Sequence, residues 1–297
     1  MINIPTNSIS NAYPGYLYDI RISVSYGRLL YQNKQQEMTE SMNFIVSART
    51  DIGISKSTNQ DSLSMRVINT SHQGRMVMAV LCDGMGGLEK GEVASASVIR
   101  AFDDWMWNVL PGMCSVPLNE NVIRDQWTQI IINQNQTIKS YGARQGVKLG
   151  TTAVVMLLTQ DRYFVLNVGD SRAYEIREGV KQITADQTFI AREIALGNMT
   201  EEQAKTDARR NVLLQCVGAS DEVYPDFFTG AVLPDTVYML CSDGFRHEIS
   251  PEEIYQKLCP SVLMDEYSIN TNAEALIELN KSRSERDNIS VSVIRTF

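Results

Sequence analysis

Runs of strand-forming apolar residues in this chain come in groups, and pairs of long helical segments separate the groups. Residues 44–49, 63–68 and 75–82 read as strands. Two segments with helical spacing follow. The first, 91–110, puts Ala94, Val98, Phe102, Trp105 and Val109 on one stripe; the second, 119–141, does so with Ile123, Trp127, Ile130, Ile131 and Ile138. Three more strand runs come next, at 151–158, 163–168 and 172–177. A polar segment at 188–210 reads as helical, and 236–241 as another strand. Two helices, 251–259 and 272–283, precede a last strand at 289–295. A doubly wound parallel sheet would need strict β-α alternation. Grouped strands beside paired helices predict an α+β layered domain instead.

Charge and composition narrow the function classes. The 297 residues hold 35 Asp+Glu against 27 Lys+Arg, a net charge of -8. An acidic surface repels phosphate backbones, which argues against nucleic acid as the main partner. No apolar run approaches the roughly 18 residues that a membrane-spanning helix needs. The first residues, MINIPTNSISNAYPGYLYD, lack the basic and apolar regions of a signal peptide. Five cysteines without a CxxC pair, three of them in apolar runs, read as buried free thiols in a reducing compartment. No membrane association and a cytoplasmic location are the expectations. Only His72 and His247 are available, too few for a multi-histidine zinc site or a Ser-His-Asp triad, and His72 reads as a solvated loop residue. Trp105, Trp107 and Trp127 read as core. Residues 1–42 are rich in Asn, Ser, Gln and Tyr. Within them Ile20, Ile22, Val24 and Tyr26 alternate with polar residues as in a half-buried strand, and 33–40 reads as a loop. We divide the chain into an N-terminal extension, 1–42, with room for one added strand, and a catalytic domain, 43–297; packing on that domain, binding a partner and partial mobility are the open readings for the extension.

The placement of aspartates is the most informative chemical feature. Asp83-Gly84 follows the apolar run MVMAVLC, and Asp243-Gly244 follows VYMLCS in the same way. Asp287-Asn288 directly precedes ISVSVI, and Asp61 lies just before the strand at 63–68. Each carboxylate thus sits at the mouth of a buried strand, where a rigid element can aim it. One such Asp is usually a turn former; three in this arrangement suggest a shared site. Two charges about 4 Å apart repel by roughly 4 kcal/mol at an effective dielectric near 20, so converging carboxylates need a cation. Oxygen-only ligation suits Mg²⁺ or Mn²⁺ better than zinc. Glycine after the Asp lets a backbone carbonyl come close to an ion. The residues by themselves therefore point to a hard-metal carboxylate site of the kind that handles phosphate.

Six ordered segments carry a resemblance to a known family: GISKSTNQD (53–61), VLCDGMGG (80–87), GTTAVV (150–155), VLNVGDSRAY (165–174), LCSDGF (240–245) and DNISV (287–291). Over 44–297 the chain resembles the metal-dependent serine/threonine phosphatases of the protein phosphatase 2C (PPM) type, most of all their bacterial branch. The resemblance implies a four-layer α-β-β-α sandwich of two antiparallel sheets flanked by helices, with two Mn²⁺ or Mg²⁺ ions at one end. It further implies that Asp83 bridges the two ions, that the Gly84 carbonyl ligates one, and that Asp243 and Asp287 hold the other. Asp61 would accept a hydrogen bond from a metal-bound water, and Asn288 would brace Asp287. The implied reaction is hydrolysis of phosphoserine and phosphothreonine in proteins by direct attack of a metal-bridging hydroxide. Phosphorylated proteins, products of a serine/threonine kinase, are the implied partners, and a monomer is expected.

Departures from the family pattern qualify this picture. Lys56 stands where the family usually has a phosphate-binding arginine in GxxRxxNxD; it keeps the charge but loses the bidentate fork. Met85 stands where many eukaryotic members carry a histidine proposed as general acid. His247 stands where many bacterial members have an aspartate, so a third ion's site is expected to be absent or altered, with His247 or Glu248 as substitutes. Asp170 reads as a turn residue near the site, and Thr151 and Thr152 as core. The region 179–210 reads as a solvated face or a flap that gates substrate. Two other functions fit the residues: a catalytically weak relative that binds phosphoproteins as a regulatory module, and a hydrolase of small phosphoesters.

Overall fold

A strand apolar on both faces needs a packed layer on each side, and this chain supplies four layers. A computed structural model describes residues 22–24, 42–85 and 90–297. In chain order its first elements are strands β1 (Ile22–Val24), β2 (Phe44–Asp51), β3 (Ser62–Thr70) and β4 (Gly74–Cys82). Helices α1 (Gly91–Asn108), α2 (Leu110–Met113) and α3 (Glu120–Gln145) follow. Next come β5 (Ala153–Leu158), β6 (Arg162–Val168), β7 (Arg172–Ile176) and β8 (Val180–Gln182), then the short helices α4 (Phe189–Ala195) and α5 (Glu201–Ala204). The remainder is β9 (Asp226–Ala231), β10 (Thr236–Cys241), α6 (Asp243–Arg246), α7 (Pro251–Leu258), α8 (Glu266–Ser282) and β11 (Ile289–Thr296).

Two sheets form, in the orders β1-β3-β4-β5-β6-β9 and β2-β11-β10-β7-β8. Their pairings are antiparallel except that β1 lies parallel to β3, with Ile22 opposite Met65. Alternation along β4 shows how one strand serves two cores. Val77, Ala79 and Leu81 enter the cluster between the sheets, beside Met156, Tyr238 and Leu240. Met76, Met78 and Val80 face the other way, onto Phe102, Trp105 and Trp127 of α1 and α3. On the second sheet β10 repeats the device: Tyr238 and Leu240 face inward, while Val237 and Met239 meet Ile254, Leu276 and Ile277 of α7 and α8. The layering is therefore α1/α3, sheet, sheet, α7/α8, the sandwich that the resemblance implied. Trp127 is fully buried and meets Phe102, Trp105 and Phe227 edge-on at 5.8, 5.5 and 6.1 Å between ring centroids.

The departures from the sequence reading have local causes. The expected helix at 188–210 is two short ones. Gly197, at φ 74°, lies between them, and Thr200 opens the second through a capping box with Gln203. Strands β8 and β9 were not expected; both are sheet edges, and β9 is half-exposed along most of its length, so no apolar alternation marks it. Helix α8 starts at Glu266, ahead of the expected 272, because Asp265 and Ser268 form a capping box. Trp107 is 47% exposed and Val109 37%, so neither belongs to the core stripe. His72 is exposed in a turn, as read. In the extension only Ile22–Val24 and Met42 are described; Ile20, Tyr26 and the 33–40 loop lie outside the described residues.

Candidate metal centre

Antiparallel pairing gathers the aspartates. Strands β4 and β10 end where β3, β5, β7 and β11 begin, so residues just past two strand ends meet residues just before four strand starts. Cys82 is opposite Ser62, which sets Asp83 beside Asp61. Cys241 is opposite both Arg172 and Val291, which brings Asp243 near Asp170 and Asp287. Each sequence-predicted site residue, Lys56, Asp61, Asp83, Gly84, Asp243 and Asp287, lies at this one end of the sandwich.

Asp83 is gripped through its backbone. Its N–H donates to Thr152 Oγ1 at 2.9 Å, and its carbonyl accepts from Thr152 N at 2.8 Å and Thr151 Oγ1 at 2.9 Å. Thr152 Oγ1 in turn lies 2.7 Å from Ser171 Oγ. The two threonines are buried as expected, but their work is to fix Asp83. Asn288 clamps the loop that carries Lys56: its Oδ1 accepts from Gln60 N at 2.8 Å, and its Nδ2 donates to the carbonyls of Ile52 and Thr58. Its own backbone N–H donates to Asp287 Oδ1 at 2.8 Å. The two glycines after the aspartates are needed for close packing. A Cβ on Gly84 would stand 2.5 Å from the Gln60 carbonyl, and one on Gly244 would stand 2.2 Å from the Asn288 carbonyl.

The charges at this end are poorly balanced by the protein itself. Burial pushes the Asp83 carboxyl well above the usual carboxylate range, and Asp61, Asp243, Asp170 and Asp287 push it further. Asp61 is 2% exposed and is raised to about 7 by burial and by Asp243 and Asp287, against an opposing pull from the Ser290 and Ser242 hydroxyls. Those hydroxyls stand outside good hydrogen-bond geometry, since neither Asp61 oxygen has a partner. Asp170 is raised to about 6 by burial and Asp243. This makes Asp170 a further member of the carboxylate group, beyond the turn residue that its sequence suggested. Arg246 crosses behind it, donating to the Asp170 carbonyl at 3.1 Å and lying 3.7 Å from Asp186, which Arg172 already holds with two bonds.

Two basic side chains reach Asp243 and Asp287. Lys56 Nζ lies 2.9 Å from Asp287 Oδ1. Burial lowers the Lys56 pKa, but Asp287, Asp83 and Asp243 outweigh it and leave it raised. His247 Nε2 lies 3.5 Å from Asp243 Oδ2 and its Nδ1 3.3 Å from Glu285 Oε2. Burial disfavours its charge, yet the Glu285 contact and Asp243 raise its pKa overall. Glu285 and Arg246 carried no sequence signal, because no spacing rule links them to the aspartates.

The donor chemistry fits divalent cations. Both Asp61 oxygens and Asp243 Oδ1 are buried without partners, an arrangement that costs several kcal/mol unless a positive charge or a donor meets it. Among the described residues no three acidic, histidine or cysteine side chains stand close enough together, as placed, to hold an ion between them. Asp170, Asp243 and Asp287 line a groove of about 1000 Å³, together with Lys56, His247, Arg286, Ile190, Ile194 and Arg210.

Residues 54–267 match the family model for protein phosphatase 2C. Among characterised proteins, the chain is 27% identical over 252 residues to protein phosphatase PhpP of Streptococcus pneumoniae, covering 84% of this chain and 96% of that one. It is 26% identical over 247 residues to the serine/threonine phosphatase stp of Listeria monocytogenes, covering 83% and 93%. The serine/threonine phosphatase structure from S. agalactiae superposes with a TM-score of 0.72 at 26% identity, over 85% of this chain and 99% of the other. The catalytic domain of the serine/threonine protein phosphatase PstP, solved in complex with two manganese ions, superposes with a TM-score of 0.67 at 27% identity, over 86% and 99%.

Proposed function

This chain belongs to the protein phosphatase 2C family and is a protein serine/threonine phosphatase, and from that premise we propose that it hydrolyses phosphoserine and phosphothreonine at the carboxylate end of the sandwich with two Mn²⁺ or Mg²⁺ ions. The observation that carries the proposal is that Asp61, Asp83, Asp170, Asp243 and Asp287 lie close enough at one end of the sandwich to disfavour one another's charge, with orphaned oxygens on Asp61 and Asp243 and with Asp170, Asp243 and Asp287 lining an open groove. Asp83, the Gly84 carbonyl, Asp243 and Asp287 would hold the ions. Bound divalent ions supply charge neutralisation for the phosphoryl group and water of lowered pKa for direct in-line attack. The chain's own residues do the rest. The Asp61 oxygens accept from water at the site, the Thr151–Thr152 bracket keeps Asp83 aimed, and Lys56 leaves Asp287 to meet a phosphate oxygen.

The reading extends to the whole chain. The catalytic unit is 43–297, and 1–42 is an extension whose strand β1 pairs with β3. The substrates are phosphoproteins made by a serine/threonine kinase, the working form is a monomer, and net charge -8 disfavours nucleic acid. Among the described residues no helix is long and apolar enough to cross a membrane, and a cytoplasmic location accords with the sequence. A second reading, a phosphoprotein-binding module of low turnover, draws on the engagement of Lys56 by Asp287. Hydrolysis of p-nitrophenyl phosphate and of a phosphothreonine peptide, with and without Mn²⁺, in the wild type and Asp243→Asn, separates the two. Manganese-dependent turnover that the substitution abolishes is expected. Manganese binding and a folded protein with no turnover on either substrate would leave only the binding module.

A further inference from the structure

Asp243 and Asp287, proposed above to hold the same ion, come from elements 44 positions apart in sequence, and something must set the distance between them. Helix α6, which begins at Asp243, has only four residues and cannot hold its own orientation. One anchor is Asn280, whose Nδ2 donates to the Phe245 carbonyl at 2.8 Å. The other faces the site. Glu285 is 6% exposed and lies in the turn before Asp287. Its Oε1 accepts from the backbone N–H of Arg286 at 2.7 Å and of Asp287 at 2.8 Å, so this oxygen fixes the turn that presents Asp287. Its Oε2 lies 3.3 Å from His247 Nδ1. His247 stands one helical turn after Asp243, with Nε2 3.5 Å from Asp243 Oδ2. A carboxylate and an imidazole therefore form one continuous bridge, from the amide of Asp287 to the carboxylate of Asp243.

We propose that Glu285 and His247 are a positioning pair that sets the spacing of Asp243 and Asp287 and thereby the affinity of this end of the sandwich for a divalent cation. The proposal rests on the metal-site reading given above. Groups that orient ligands in this way typically change metal affinity by about 10–100-fold when removed. A residue that only closed a turn would alter stability and leave ion affinity alone, so the two roles separate by measurement.

The test is titration of Mn²⁺ into the full-length protein, followed by the loss of the free-ion electron paramagnetic resonance signal, in the wild type, Glu285→Ala, Glu285→Gln, His247→Ala and the double alanine variant. Thermal unfolding in EDTA records the metal-free fold of each. We expect each alanine variant to weaken Mn²⁺ binding about tenfold or more, and the double variant to lose no more than the worse single, since two halves of one bridge cannot be broken twice. Glu285→Gln keeps the Oε1 acceptor for both amides and restores most of the affinity. His247 is exposed, so His247→Ala decides the matter even if Glu285→Ala fails to fold. A dissociation constant within about twofold of wild type in His247→Ala overturns the proposal, as do losses that simply add in the double variant. Failure of the wild type itself to bind Mn²⁺ would overturn the metal-site reading and the pair's role together.

Discussion

Replacing Asp61 with asparagine should make the metal-free protein more stable and the enzyme worse. Asp61 is 2% exposed, its two oxygens lack partners, and its pKa is raised from 3.8 to about 7 by burial and by Asp243 and Asp287. The folded state therefore holds this proton more tightly than the unfolded chain does. The stability that goes with the neutral acid is complete below about pH 4 and is lost as pH rises toward 7. A shift of about three units, at 1.36 kcal/mol per unit, sets a ceiling of about 4 kcal/mol on that loss. The ceiling is shared, because Asp83 competes for the same protons. Asparagine has nearly the same shape and no charge, so the penalty vanishes. Urea unfolding in EDTA should show Asp61→Asn level with wild type at pH 4 and more stable by at least about 1 kcal/mol at pH 8, while manganese-dependent hydrolysis falls. A stability difference that stays constant from pH 4 to pH 8, or a variant less stable at pH 8, would refute the electrostatic reasoning.

Other substitutions probe other layers. Lys56→Met removes an ion pair whose partners are 28% and 37% exposed, so stability should change by about 1 kcal/mol or less, while KM for a phosphothreonine peptide rises. Lys56→Arg should lower that KM through a two-pronged contact with phosphate; steady-state kinetics on the two variants checks both statements. Gly244→Ala drives a Cβ to 2.2 Å from the Asn288 carbonyl, which should cost about 1–3 kcal/mol and weaken Mn²⁺ binding in calorimetry. Trp127→Ala opens the helix-side core far from the groove and should cost about 3–5 kcal/mol in urea unfolding, with Mn²⁺ affinity retained wherever the variant is folded.

How legible this protein is in its sequence depends on the range of the interaction concerned. Strand β4 could be read because both of its faces are buried, which leaves an unbroken apolar run ending in Asp83. The same holds for β10 and Asp243. Edge strand β9 could not, since half-exposed DFFTGA carries no alternation. The break between α4 and α5 had a readable sign, Gly197 followed by Thr200 and Gln203, which the overall polarity of the segment masked. At the site, the residues beside strand ends were visible because strand ends are visible. Asp170 looked like one more turn former, since its proximity to Asp243 is created only when β7 pairs with β10. Glu285 and His247 meet across 38 positions, where no periodicity or spacing can announce a contact.

The bracket around Asp83 turns one backbone amide into a clock. The Thr152 N–H donates to the Asp83 carbonyl at 2.8 Å, in a residue only 1% exposed, across the seam between the end of β4 and the start of β5. Deuterium can enter there only when that seam parts. The uptake rate at Thr152 thus reports how readily this end of the sandwich opens, in a protein supplied with no substrate. Its slowing as Mn²⁺ is added would measure how firmly the ions lock the two strands together.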